Sequence, residues 1–543
     1  MQKANKLVIW VLVLITLLAF GVFCIPNSQG SADRAMVGIF EPDEGAIYDV
    51  VRRMTRPANT PGESIVNFIN YGFYHYGFPF FGYSGLVAYP LRWLDRFEDT
   101  QLLMLVLRQA VSVLPMLAGL LTLVWLHDHY RTWRSVALYL LLLLVPAVSM
   151  NGTWLHPDGL VLFLTALILY FLWRDDRRFG FNFYAAAALC GVLTAAKLVG
   201  VYFFLTIAWL LWQAIRSKQF TFGQAFKKGL SFLLVMGIAF LLSNPFVFYF
   251  ASLRKYAGTL YNEFVQINAG YDLIYQTGLA ASLPDIVRAY GQVFFLALCL
   301  IGLILGSVRG PRQHLFRLLL TWSIPLTLMV LTGTHFKYQY WMPVGMPLIS
   351  SLAFFFPASS EAEAQEEKTW KIPRWMQAGV AVLILVQAAM FLPQNFRYLK
   401  ESSQRTQDNP VLNSYYAMEE VLAPLGDQHF RMYHDYRLYV PEGKRRHLET
   451  SFEMLQQSFI DAGNYDLMYF SRQRIQDYVN PEAEGINPEQ LATSRGFYNK
   501  LLTNTLPGYK LAYEDPIAKL FVRDELCPRL APGTCKEPQP AQP

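Results

Sequence analysis

The sequence predicts an all-α polytopic membrane domain followed by a small α/β domain. Three observations predict this. Of 543 residues, 53% are hydrophobic and only 16% are charged, where a soluble domain carries about a quarter charged residues. The apolar residues gather into runs that approach the roughly 20 residues a helix needs to cross a bilayer. After about residue 395 the long runs stop, and short strand-like and helical patterns replace them. The net charge of +6 is spread over particular loops, so it speaks to orientation in a bilayer and not to nucleic-acid binding.

In chain order, Lys3 and Lys6 precede an apolar run over residues 7–25. The run is long for a signal-peptide core and further spans follow, so it reads as a retained anchor. Residues 27–99 read as a long loop. Within it, Ile47, Val50, Val51 and Met54 have helical spacing, which predicts an amphipathic helix over 44–54 lying on the membrane. Residues 70–79 are rich in aromatics and glycine and include His75. Further spans are expected near 102–126, 135–150, 159–173, 181–196, 198–215, 230–248, 291–308, 315–332, 341–357 and 377–393, about eleven in all with the first.

Charge sets the orientation. Loops 127–134, 174–178, 216–228, 309–317 and 358–376 are basic or mixed, while the short loops 151–158 and 333–340 hold Lys337 as their only Lys or Arg. The positive-inside rule then puts the amino terminus in the cytoplasm. Residues 27–99, 151–158, 250–290, 332–340 and everything after about 394 fall on the extracytoplasmic face of a multi-pass inner (plasma) membrane protein. Glu361, Glu363, Glu366 and Glu367 mark a flexible acidic linker. The chain divides into a membrane domain (1–395), an extracytoplasmic α/β domain (396–535) and a proline-rich, disordered end (536–543).

In that α/β domain, strands are expected over 430–433, 465–470, 509–513 and 518–522, and helices over 414–425 and 496–502. Cys24, Cys190 and Cys299 lie in apolar segments and read as small packing residues. The spacing of Cys527 and Cys535 permits a local disulfide in an oxidising compartment.

Five polar stretches carry the candidate chemistry. The first is Pro42-Asp43-Glu44, opening the amphipathic helix. Asp43 there is a plain choice for a helix N-cap, but a carboxylate at the membrane surface also suits a general base that activates an acceptor hydroxyl. The second is Asn151-Gly152-Thr153-Trp154-Leu155-His156-Pro157-Asp158-Gly159. This is turn chemistry, or else Asp158 and His156 join the Asp43 cluster as cation ligands or acceptor-orienting groups. The third is Lys197 between two apolar spans, where it either snorkels or binds a lipid phosphate. The fourth is Ser243-Asn244-Pro245-Phe246 with Arg254 and Lys255 beyond it, an interfacial helix or a donor-phosphate site. The fifth is His335-Phe336-Lys337-Tyr338-Gln339-Tyr340-Trp341-Met342-Pro343, the one basic patch in a short outer loop, for which a phosphate is a fitting partner.

The order of these motifs resembles the bacterial relatives of the dolichyl-phosphate-mannose protein mannosyltransferases, a group that includes the lipid A aminoarabinose transferase and belongs to the GT-C superfamily. The resemblance spans roughly residues 1–395. It implies a GT-C-like fold and a polyprenyl-phosphate sugar donor. It also implies transfer on the outer face to a lipid, glycan or protein acceptor, usually with inversion. It maps the first-loop acid onto Asp43 with Glu44 beside it, the second-loop acid onto Asp158, and the mid-chain lysine onto Lys197. The late motif usually carries arginine before tyrosine. Here Lys337 precedes Tyr338, and a lysine does not give the bidentate phosphate grip of an arginine. His156, Arg254 and His335 complete the expected substrate contacts. No cofactor is required, and a divalent cation is compatible with the acidic set.

Two other classes compete. A transporter or flippase for lipid-linked saccharides should show ionisable groups or broken helices at span centres, whereas here the charges sit at span ends. A non-catalytic scaffold of an envelope-polysaccharide system would tolerate replacement of Asp43.

Overall fold

The computed structural model describes residues 4–536 except 270–271, 275–277, 310–311, 333–334, 357–371, 427 and 444–445, with backbone only over 265–269. The expected acidic linker with Glu361, Glu363, Glu366 and Glu367, and all but the first residue of the proline-rich end, lie outside the described residues. The chain forms two compact units. One comprises Met1–Ser28, Asp49–Ile267 and Gln276–Ser403; the other comprises Gln29–Tyr48, Asn268–Tyr275 and Gln404–Pro543. The boundary thus falls some residues after 395, because the last long helix, Arg374–Ser403, does not break there.

The first unit is helical. All eleven apolar segments are built around helices, but they differ in length. Among the described residues, Lys6–Asn27, Thr100–Asp128, Leu198–Arg216, Phe222–Ser243, Gln313–Thr332 and Arg374–Ser403 are each long and apolar enough to cross a membrane. Two bent pairs, Trp133–Leu144 with Pro146–Gly152 and Leu279–Tyr290 with Val293–Arg309, raise the number from six to at most eight. The remaining three segments are the helices Asp158–Asp175, Phe181–Ala196 and Tyr338–Ser350. Pro146 breaks the first pair, because proline lacks the amide that a straight helix needs, and Gly291, at a φ of 111°, turns the second.

Outward faces are apolar. Leu14, Leu17 and Leu18 on the first helix and Leu230, Leu233 and Leu234 on Phe222–Ser243 are exposed. A water-facing surface does not carry contiguous leucines of this kind; a lipid-facing one does. Inside, Trp322 is fully buried, stacks on Phe203 at 3.9 Å and donates its indole N–H to the Pro343 carbonyl at 2.9 Å. Trp and Tyr are buried well only when the polar end finds such a partner.

Residues 27–99 are not an open loop. They hold the helices Arg34–Phe40, Pro42–Met54, Pro61–Ile69 and Phe78–Trp93. The expected amphipathic helix is there, and Ile47, Val50, Val51 and Met54 are buried along one face. Thr60 caps Pro61–Ile69 by accepting the Glu63 amide at 3.2 Å. A π-helical turn, Arg108–Val113, interrupts the long second span; such turns shift side chains out of the ordinary helical register.

The second unit is built on a five-stranded sheet, β1 (Phe430–His434), β2 (Arg446–Glu449), β3 (Leu467–Ser471), β4 (Tyr509–Glu514) and β5 (Ala518–Arg523), in the order β2-β1-β3-β5-β4. β1 runs parallel to both β2 and β3, while β5 is antiparallel to β3 and β4. Alternate residues face two cores. Tyr433, Met468, Phe470 and Phe521 enter one, and Met432, Leu467, Tyr469 and Leu520 the other. β3 is therefore buried on both sides, as a central strand between two helical layers must be. Segment Gln29–Tyr48 belongs to this unit: Asp33 accepts the Tyr439 hydroxyl, and Met36 packs with Leu412 and Tyr439. Cys527 and Cys535 are joined as a disulfide.

Candidate active site

In the first unit the sequence motifs meet. Asp158 opens the helix Asp158–Asp175, and Lys197 closes Phe181–Ala196. A carboxylate at a helix start and a cation at a helix end are both favoured by the backbone dipoles. The Lys197 ammonium donates to Asp158 Oδ1 at 2.7 Å. The Asp158 side chain is 1% exposed and that of Lys197 is 19% exposed, so the pair is open to solvent only on the lysine side.

His156 holds the other carboxylate oxygen. Its Nδ1 forms an ion pair with Asp158 Oδ2, and its Nε2 lies 2.8 Å from the Tyr76 hydroxyl. Trp154 stacks on the imidazole at 4.3 Å. The π-helical turn supplies Ser112, which accepts the His156 amide at 3.0 Å and donates to the His156 carbonyl at 3.1 Å. Gly159 is required here by space, because a Cβ would sit 2.2 Å from the Ser112 carbonyl oxygen. Both imidazole nitrogens thus face protein groups. His156 positions Asp158, which differs from the direct substrate contact expected of it.

The aromatic motif of residues 70–79 is fastened beside this pair. Gly77 donates its amide to the Ala196 carbonyl at 3.1 Å, and a Cβ on it would meet the Ala195 carbonyl oxygen at 1.5 Å. Phe78 donates its amide to Asn244 Oδ1 at 3.1 Å, which brings in the Ser-Asn-Pro-Phe motif. Lys255 donates to the Gly72 carbonyl at 2.7 Å, while the singled-out Arg254 is exposed. His75 pairs with Glu263 at 2.5 Å and packs on Phe73.

The late motif closes the cluster. Lys337 precedes the helix Tyr338–Ser350. The ring of Tyr340 lies 4.7 Å from the Lys197 ammonium and 5.9 Å from that of Lys337, within range for cation–π attraction. The Tyr338 carbonyl accepts the Tyr290 hydroxyl at 2.6 Å. His335 and Tyr338 are half-buried.

Asp43 and Glu44 lie in the first turn of Pro42–Met54. Asp43 is not the N-cap: Pro42 takes the first helical position, where its missing amide costs nothing. Asp43 is exposed and Glu44 is fully buried. The two belong to the second unit, whereas His156, Asp158, Lys197 and Lys337 belong to the first. Among the described residues, no three His, Cys, Asp or Glu side chains are grouped as metal ligands.

Four members of the cluster are not among the residues expected from sequence: Tyr76, Ser112, Trp154 and Tyr340. Tyr76, Trp154 and Tyr340 lie within the polar and aromatic stretches 70–79, 151–159 and 335–343, so their neighbourhood is the signal. Ser112 lies in an apolar span, and a π-helical turn has no compositional mark.

No family model matches the sequence, and no curated protein matches it. Two solved structures are similar over nearly the whole chain. One is the crystal structure of ArnT from Cupriavidus metallidurans bound to undecaprenyl phosphate, with a TM-score of 0.54, 15% identity, and 94% of this chain and 97% of that chain covered. The other is the same protein in its apo state, with a TM-score of 0.52, 14% identity and the same coverage. At these identities the likeness is one of fold alone.

Proposed function

We propose that this chain is an integral membrane glycosyltransferase that moves a sugar from a polyprenyl-phosphate donor to an acceptor on the extracytoplasmic face. One observation carries the reading. The Asp158–Lys197 pair sits where the motifs of the first unit meet, and its lysine end is open beside Tyr340. A cation fixed by a buried carboxylate is a preorganised partner for a phosphate. The fold shared with a protein crystallised with undecaprenyl phosphate supports the same donor class.

In this reading the acceptor oxygen attacks the anomeric carbon as the bond from that carbon to the phosphate oxygen breaks. Asp43 takes the acceptor proton as general base. The leaving lipid phosphate needs charge stabilisation and little protonation, and Lys197 supplies it, with Lys337, Arg254 and His335 as further phosphate contacts. Glu44 supports Asp43, Asp158 holds Lys197, and Tyr338 lines the donor end. Lipid, glycan and protein acceptors all suit an outer-face hydroxyl or amine. No cofactor has a step in this scheme, and a divalent cation is compatible with it. The disulfide in the carboxy-terminal unit supports an extracytoplasmic location for that unit, since such bonds persist in oxidising compartments.

The test is transfer from a panel of radiolabelled polyprenyl-phosphate sugars to a membrane extract, with wild type and Asp43→Asn in parallel. Transfer by wild type and a loss of about a hundredfold or more in the variant is the expected result. Equal rates would remove Asp43 from the chemistry. No transfer from any donor by folded protein would overturn the enzyme reading.

A further inference from the structure

The second unit has a feature that the transfer reaction does not use. Strands β1, β2 and β3 are parallel, so their carboxyl ends lie on one edge of the sheet. The chain passes from β1 outward to β2, then returns to the other side of β1 to form β3. Neighbouring connections leave β1 and β3 in opposite directions, and open α/β sheets bind ligands at this kind of edge.

The residues gathered there are unusual. Arg474 follows β3 and is 1% exposed, and Asp435 follows β1 and is 0% exposed. Arg474 donates to the Ser451 carbonyl at 2.8 Å and to the Glu453 carbonyl. These two carbonyls flank Phe452, in the loop after β2. Phe452 is 62% exposed. Its ring packs on Tyr436 at 4.5 Å, and the Arg474 guanidinium lies 5.3 Å from the Tyr436 ring. A buried cation therefore clamps the backbone on both sides of one outward-facing aromatic ring. Desolvating a guanidinium is costly, and the Asp435 carboxylate 3.6 Å away offsets part of that cost. Fixing an exposed ring in advance is what a stacking platform needs.

The polar groups beside the ring define the ligand. Arg437 donates to Asp477 at 2.7 Å, and both side chains are partly exposed. Gln473 and Gln476 are exposed on the adjoining helix. Asp435 Oδ2 is buried and has no hydrogen-bond partner among the described residues. Arg437 with Asp477, and Arg474 with Asp435, make two neutralised pairs. Such a site offers many donors and acceptors without a surplus of positive charge, which disfavours a phosphate and suits a polyhydroxyl compound. The apolar face of a pyranose ring matches a single exposed phenyl ring.

We propose that this edge is a saccharide-binding site, with Phe452 as the platform for a neutral pyranose ring and the Arg437–Asp477 pair as hydrogen-bonding partners. The site is one of binding and stands whether or not the transferase reading holds.

The experiment is saturation-transfer NMR on the full-length protein in detergent, with neutral gluco-, manno- and galacto-configured trisaccharides as probes. Wild type is expected to saturate the ring protons of at least one of them. Phe452→Ala should weaken that binding about tenfold or more, the worth of one stacked ring, with the melting temperature unchanged because the ring is exposed. Phe452→Trp should retain binding. Absence of transfer to every trisaccharide, or equal binding by Phe452→Ala, would overturn the proposal. A silent transfer assay with positive NMR would sink only the transferase reading, and the reverse result only this one.

Discussion

Lys197 and Asp158 are 39 positions apart in sequence and 2.7 Å apart in space, with the carboxylate almost wholly shielded from solvent. Removing Asp158 leaves the Lys197 ammonium without its carboxylate, whereas removing Lys197 leaves Asp158 with His156 alone. For Asp158→Asn, the expected loss of stability is about 3–5 kcal/mol, the usual cost of breaking a buried pair. Transfer should fall with it. The double variant Asp158→Asn, Lys197→Met removes both charges and should recover much of the stability while leaving transfer absent. Melting in detergent alongside the radiolabelled assay separates the two effects. Full recovery of transfer in the double variant would show that the pair is only structural.

Gly77 tests how the first-loop motif is fastened. Its position allows no side chain, since a Cβ would meet the Ala195 carbonyl oxygen at 1.5 Å. Gly77→Ala must push residues 76–77 away from Ala196, and the Tyr76–His156 hydrogen bond goes with them. The expected destabilisation is toward the upper end of about 1–3 kcal/mol for overpacking. Gly62→Ala is the control. Gly62 lies in the helix Pro61–Ile69 with nothing within 4 Å of the added atom, so alanine there should be neutral or stabilising by about 0.5–1 kcal/mol. Thermal melts of the two variants would check this, and equal melting would contradict the geometry.

These two sites also show what a sequence discloses. The helices were legible because long apolar runs carry their own signal, and four of the five strands because short apolar and aromatic runs do. Strand β2, Arg446–Glu449, is short and polar at the sheet edge, and carries no such pattern. A meeting of the outer-loop motifs was expected from their order, but the motif of Asp43 and Glu44 falls in the other unit. The Asp158–Lys197 and Tyr76–His156 contacts were not, because nothing local records which helix ends face each other. The placement of residues 29–48 with the tail was hidden for the same reason: it follows from packing.

The Cys527–Cys535 bridge closes a short loop, with a sequence separation of 8. On the chain-entropy account such a loop stabilises by about 2–3 kcal/mol. The double serine variant should lose that much locally, and its carboxy-terminal residues should become more open to protease. In intact cells, the wild-type thiols should resist alkylation until a reductant is added. Ready alkylation without reductant would show a reduced pair, and would withdraw the support that the bridge gives to an extracytoplasmic location.

Acid should loosen the second unit through His434. Burial, assisted by the Arg34 guanidinium, pushes its pKa down to about 4 from 6.5. The unfolded chain therefore takes up a proton before the folded one does. Stability is lost as pH falls through 6.5, by about 1.4 kcal/mol per pH unit at most, and the loss levels off near the folded value. Asp435 acts in the opposite direction. Burial raises its carboxyl above the ordinary value, so the folded form keeps its proton where the unfolded form has lost it, which favours folding as pH falls. The two groups are adjacent on one strand end, and replacing one exposes the other. His434→Gln should flatten the loss of stability between pH 6.5 and 4. The measurement is amide hydrogen exchange at Tyr433 and Tyr469, on the full-length protein and corrected for the intrinsic pH dependence. Equal acid sensitivity in wild type and variant would assign the effect to other groups.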